Sequence, residues 1–134
     1  MRLTSISGHD VFAKTSTFRF PNNATVDDLD ELRKRVATSL TAGATFIILD
    51  FEPAGYVSPN ALGKTIGIHR DVVGHGGELI LCGMDRQARA TMTKAKLDHM
   101  VEHVTDYAAA WAMVRERIRA SRTSTSTTST TSEK

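Results

Sequence analysis

The chain has a single cysteine, Cys82, in 134 residues. No disulfide can form within it, and the apolar run Leu79–Cys82 around it predicts a buried, inert thiol. That usage fits a reducing, cytoplasmic setting. Long apolar runs are also missing, so no segment is expected to span a bilayer. The opening residues Met1-Arg2-Leu3-Thr4-Ser5 lack the hydrophobic stretch of a signal peptide. There is no excess of one charge: 17 basic and 15 acidic residues leave a formal net charge of +2. So even a balance argues against nucleic-acid binding. Prolines number three, and each falls at a break: Pro21 after an early strand, Pro53 in a turn, Pro59 at a helix start.

What is present is one domain's worth of chain, expected over residues 1–120, which can bury a core without disulfides or metal. Thr45–Gly63 organises it. Phe46, Ile47, Ile48 and Leu49 are adjacent and apolar, the signature of a strand covered on both faces. Asp50 and Glu52 are expected to mark its emergence into solvent. Pro53, Ala54 and Gly55 supply a turn. Ser58-Pro59 then reads as a helix start, Ser as N-cap and Pro in the first helical position. The end of a strand beside a helix start is where α/β proteins place working residues.

The other elements follow in order. Leu3–Ser7 is a weak strand and Val11–Phe20 a better one, joined as a hairpin through Gly8-His9-Asp10. Thr25 opens a helix to Leu40, with Asp28 at the capping-box position and an apolar stripe of Val26, Leu29, Leu32, Val36 and Leu40. A second helix runs from Pro59 to about Val73; Leu62, Ile66 and Val73 share its inner face with Ala61, Ile68 and Val72. Gly74-His75-Gly76-Gly77 stops it before a short buried strand, Glu78–Gly83. Asp85 caps a third helix, Arg86–Lys96, with Ala88, Met92 and Ala95 inward. Met100–Val104 is a poorly marked strand. A last helix opens at Thr105-Asp106 and presents Tyr107, Trp111, Val114 and Ile118. Its end is basic, through Arg115, Arg117, Arg119 and Arg122, as the helix dipole favours. Residues 121–134 are almost all Ser and Thr and are expected to be a disordered, solvated tail, with phosphorylation as a further use. The expected fold class is α/β: a mixed sheet of four to five strands with four helices.

The order and spacing of these parts resemble a STAS domain, the fold of bacterial anti-sigma-factor antagonists, over about Leu3–Val114. The segments that carry the likeness are Tyr56-Val57-Ser58-Pro59-Asn60-Ala61-Leu62-Gly63, then Gly76-Gly77, then Leu79-Ile80-Leu81-Cys82-Gly83, and last Thr105-Asp106-Tyr107-Ala108-Ala109. The resemblance implies a non-catalytic regulatory module without a cofactor. It implies docking to an anti-sigma factor that is a serine kinase of the histidine-kinase-like ATPase type, or to other STAS proteins. Accessory subunits of lipid or other ABC transporters, and stressosome-like assemblies, are the alternative setting. The family's phosphorylated serine falls on Pro59, which has no hydroxyl. The nearest hydroxyl, Ser58, stands one residue early where the family has Asp, and Ala61 replaces a Gly. Tyr56, Ser58, Pro59, Asn60, Gly63, Lys64 and Gly67 are then the expected contact residues, with His69 beside them, and Ser58 is a candidate phosphosite as well as a cap.

Three other patterns invite chemistry. Asp50, Glu52 and Asp85 could meet at strand ends and hold Mg²⁺, as in a small phosphatase; a solvated strand end is the plainer reading. His99-Met100-Val101-Glu102-His103 spells an inverted zinc-protease motif, which needs one long helix and a third ligand. Its valines and setting suggest a loop and strand instead. Gly74–Gly77 ends a helix, whereas a phosphate loop would open one. None of the three predicts an enzyme.

Overall fold

The computed structural model describes residues 14–131, with side chains to residue 120. Four strands form one sheet in the order β1 (Thr15–Arg19), β2 (Phe46–Asp50), β3 (Glu78–Cys82) and β4 (Glu102–Val104), each parallel to its neighbour. The antiparallel partner expected at Leu3–Ser7, with the hairpin turn and Val11–Ala13, lies outside the described residues. Helices α1 (Val26–Thr41), α2 (Pro59–Gly74) and α3 (Arg86–Lys94) connect successive strands, and α4 (Tyr107–Thr131) follows the last.

The apolar runs explain the layering. In β2 and β3 successive side chains point to opposite faces. Ile47, Leu49, Leu79 and Leu81 enter a core with Leu29, Leu32 and Val36 of α1, Leu62, Ile68 and Val72 of α2, and Ala88 and Met92 of α3. Ile48, Ile80 and Cys82 face the other way, against Ala110 and Val114 of α4. Three helices thus cover one face and α4 the other. This double covering is why these strands are apolar without alternation.

Several expectations change in detail. Val73 faces solvent, Ile66 is half-buried, and Thr65 takes the inward position, because Ala61, Thr65, Ile68 and Val72 repeat at helical spacing. Its hydroxyl donates to the Ala61 carbonyl at 3.0 Å, which satisfies it in the core. Val26 is exposed at the head of its stripe, and Ala95 lies outside α3, exposed. Tyr107 is exposed, while Ala110 and Val114 are fully buried. Beyond Ile118 the backbone of α4 continues helical to Thr131. Extending an anchored helix adds one hydrogen bond per residue fixed and needs no new nucleus.

Candidate functional site

The site grows from the end of β2. Phe51 stacks on Phe20 with ring centroids 4.3 Å apart, and a single 3-10 turn, Glu52–Ala54, redirects the chain. Asp50 does not emerge into solvent as expected: it is 7% exposed. Its Oδ1 accepts the Glu52 N–H at 3.0 Å, which closes the turn. Gly83, at the end of β3, lies against the same carboxylate. Burial, with Asp50 and Asp106 close by, pushes the Cys82 thiol up to about 12. Cys82 is therefore the inert, protonated thiol that its strand position predicted.

From Gly55 the chain crosses to α2. Tyr56 is 63% exposed, while Val57 beside it is buried. Ser58 has extended backbone (φ −76°, ψ 158°), and its Oγ accepts the Ala61 N–H at 3.0 Å. Pro59 occupies the first turn, where a missing N–H costs nothing. The cap read from Ser58-Pro59 is therefore formed. Asn60 and Gly63 follow as exposed positions, and the space beside Gly63 is open.

The remaining expected contact residues lie differently. Lys64 Nζ is 3.5 Å from Asp30 Oδ1, so it leans towards α1. Gly67 lies beneath the Arg33 guanidinium; a Cβ there would stand 2.7 Å from it. Arg33 makes two hydrogen bonds to Asp71, at 2.7 and 3.0 Å. The pairing pushes the Arg33 pKa up and holds the Asp71 carboxyl below its usual value. Tyr56, Ser58, Pro59, Asn60 and Gly63 thus share an open surface, whereas Lys64 and Gly67 line the seam between α1 and α2. His69 is half-buried, and desolvation pulls its imidazole below the ordinary 6.5.

Two contributors escaped sequence reasoning. Gln87, on α3, bonds both backbone groups of Val57. Its i, i+4 spacing to Thr91 is visible in sequence, but the pairing across 30 residues is not. Val26 is the other. Asp30 beside Lys64, and Arg33 beside Asp71, set α1 and α2 side by side and parallel. Val26, at the start of α1, is 53% exposed, an apolar side chain left open at the same end of the molecule as the start of α2.

The patterns that suggested chemistry are dispersed. Asp85 caps α3, its Oδ1 accepting the Ala88 N–H at 2.8 Å. Glu102 and His103 belong to β4, and His99 lies in the preceding turn, not on a shared helix. Among the described residues no three His, Cys, Asp or Glu side chains are grouped to hold a metal ion. A depression of about 680 Å³ does lie at the ends of β1 and β2, between Thr17, Arg19, Arg35, Asp50, Glu52 and Tyr107. Its two guanidinium groups and two carboxylates balance.

The sequence pattern of the STAS domain family matches residues 11–110. The chain belongs to the STAS domain family. Solved structures agree on the fold. RsbS of Moorella thermoacetica, in a serine-to-glutamate variant, superposes with a TM-score of 0.69 at 14% identity, covering 79% of this chain and 92% of that one. The anti-sigma factor antagonist SpoIIAA in its unphosphorylated form gives 0.63 at 19% identity, covering 81% and 90%. A putative anti-sigma factor antagonist from Thermotoga maritima gives 0.64 at 19%, covering 76% and 88%. No curated protein sequence matches the chain. Among the described residues of this STAS domain no helix is long and apolar enough to cross a membrane.

Proposed function

We propose that this STAS domain is a non-catalytic, cytoplasmic regulatory module that docks a serine kinase and anti-sigma factor of the histidine-kinase-like ATPase type. One observation carries the reading. The segment that the sequence resemblance aligns with the family's phosphorylated one is an open surface, with a largely exposed Tyr56 beside a buried Val57 and a capped helix start. An exposed aromatic on a rigid support is a common anchor for a protein partner. Pro59, Asn60 and Gly63 add low relief beside it, and Asp27 adds negative charge in the first turn of α1.

Pro59 has no hydroxyl to phosphorylate, so control falls to Ser58 or to another route, with the Ser- and Thr-rich residues 121–134 as a candidate. Ser58 is a half-buried residue at a helix N-terminus, where phosphate charge is locally favourable. Regulation would then act by repelling the partner, not by disrupting the loop.

The test is a pull-down from native extract with wild type and Ser58→Glu as baits, read by mass spectrometry. Wild type is expected to recover an ATPase-type anti-sigma kinase that Ser58→Glu loses. Recovery by both would leave docking standing and remove Ser58 as the switch. Recovery of transporter subunits or other STAS proteins instead would replace the anti-sigma reading with the transporter or assembly one.

A further inference from the structure

Val57 anchors the docking loop by its side chain, which is in the main core. Its backbone lies outside every strand, yet both of its polar groups are paired by one side chain. The Val57 N–H donates to Gln87 Oε1 at 3.1 Å, and Gln87 Nε2 donates to the Val57 carbonyl at 2.9 Å. The primary amide thus replaces the peptide that a neighbouring strand would offer. Gln87 is itself oriented. Its Nε2 also donates to Thr91 Oγ1 at 3.0 Å, and the Thr91 hydroxyl donates back to the Gln87 carbonyl at 3.0 Å. This network is part-buried, where its bonds are stronger than in water and costly to leave unmade.

We propose that Gln87 is a positioning residue for partner docking: by clamping the Val57 peptide groups it fixes Tyr56 and Ser58, on either side, in the conformation the partner meets. The inference rests on the docking reading above. A loop that is already ordered loses less conformational entropy on binding, so the clamp raises affinity without a contact of its own. At neutral pH the glutamine amide does both halves of the job. Alanine offers neither group. An ionised glutamate accepts from the Val57 N–H but cannot donate to the Val57 carbonyl.

The test compares wild type, Gln87→Ala and Gln87→Glu by amide hydrogen exchange, corrected for intrinsic rates. In Gln87→Ala the protection of the Val57 amide is expected to fall by roughly tenfold or more, while amides in the middle of α1 keep theirs. In Gln87→Glu protection is expected to fall at neutral pH, where the carboxylate repels the Val57 carbonyl that Gln87 Nε2 bonded, and to recover as pH falls through the carboxyl range, because protonation restores a donor; Gln87→Ala gains nothing. A merely structural role would lower protection throughout and show no such recovery. Unchanged Val57 protection, or an equal fall in α1, overturns the proposal. The ATPase recovered by wild type is then purified and titrated against each variant. About tenfold weaker binding by Gln87→Ala supports positioning, and equal binding overturns it. If wild type recovers no ATPase, the docking reading has failed, and with it the docking half of this inference. Exchange then still decides whether Gln87 holds the loop.

Discussion

A methyl group at Gly83 would stand 2.5 Å from Asp50 Oδ1 and 2.9 Å from the Glu52 amide nitrogen, on a backbone whose φ is +73°. Both the left-handed conformation and the contact resist any side chain. Gly83→Ala is therefore expected to cost about 2 kcal/mol or more, a fall in melting temperature of roughly 8 °C or more by calorimetry. An unchanged melting temperature would show that Asp50 can move aside without loss. The same pair of residues shows where sequence reading stops. The capping box of Thr25 and Asp28 was legible because its two bonds, 3.1 and 3.0 Å, join residues three apart. The Ser58 cap was legible for the same reason. Asp50 read as a solvated strand end because the glycine that encloses it lies one strand away in the sheet. Gln87 was illegible for a related reason: a helix-borne amide leaves no local mark of the peptide it will meet.

Among the elements, α4 depends most on a single side chain. Arg117 bonds Glu78 at the start of β3 and Glu102 at the start of β4, and its guanidinium lies 3.9 Å from Met113 Sδ. It fastens the helix across two strands that its apolar face also covers. The groups are partly exposed, so the pairing is screened and its contribution modest. Arg117→Ala is expected to cost about 1 kcal/mol in urea unfolding followed by Trp111 fluorescence, with more of the loss retained at low salt. A midpoint independent of salt would show that packing alone holds α4. Helices α1 and α2 were readable to within a residue at their ends because caps and stops are local. Helix α3 was overextended: Lys96, at φ +64°, takes the left-handed position just past its C-cap Ala95. A glycine there would have announced the stop. On α4 the large residues drew attention, yet Ala110 is fully buried against the back of the sheet, where a small side chain lets a helix settle closely.

For the whole molecule, the core identifies what must be retained. The last apolar residue packed on the back of the sheet is Ile118. We expect truncation after residue 120 to change the melting temperature by less than about 2 °C. A larger fall would place residues 121–134 inside the folded unit and move the boundary read from composition. The layered α/β architecture was inferable because apolar runs of strand length alternate with amphipathic stretches of helix length, which leaves few ways to bury both. What composition could not give was the surface. Whether Lys64 and Gly67 face solvent or the neighbouring helix depends on how α1 and α2 pack on the sheet through Leu29, Leu32, Val36, Leu62, Ile68 and Val72, with Arg33 and Asp71 paired across the seam.

Because the four described strands run the same way, the four helices that follow them begin at one end of the molecule. Helix α1 has Asp27 and Asp28 in its first turn, α3 is capped by Asp85, and Asp106 Oδ1 accepts the Ala109 N–H at the start of α4. Only α2 begins without a carboxylate, on the alcohol of Ser58. Caps that serve folding thus place carboxylates at three helix starts and an alcohol at the fourth, among the guanidinium groups of Arg19 at the end of β1 and Arg86 at the start of α3. For a charged protein arriving by diffusion, such a mosaic acts before contact, turning the visitor and raising the share of productive encounters. The pattern governs how a partner arrives, and dissolved salt would blur it.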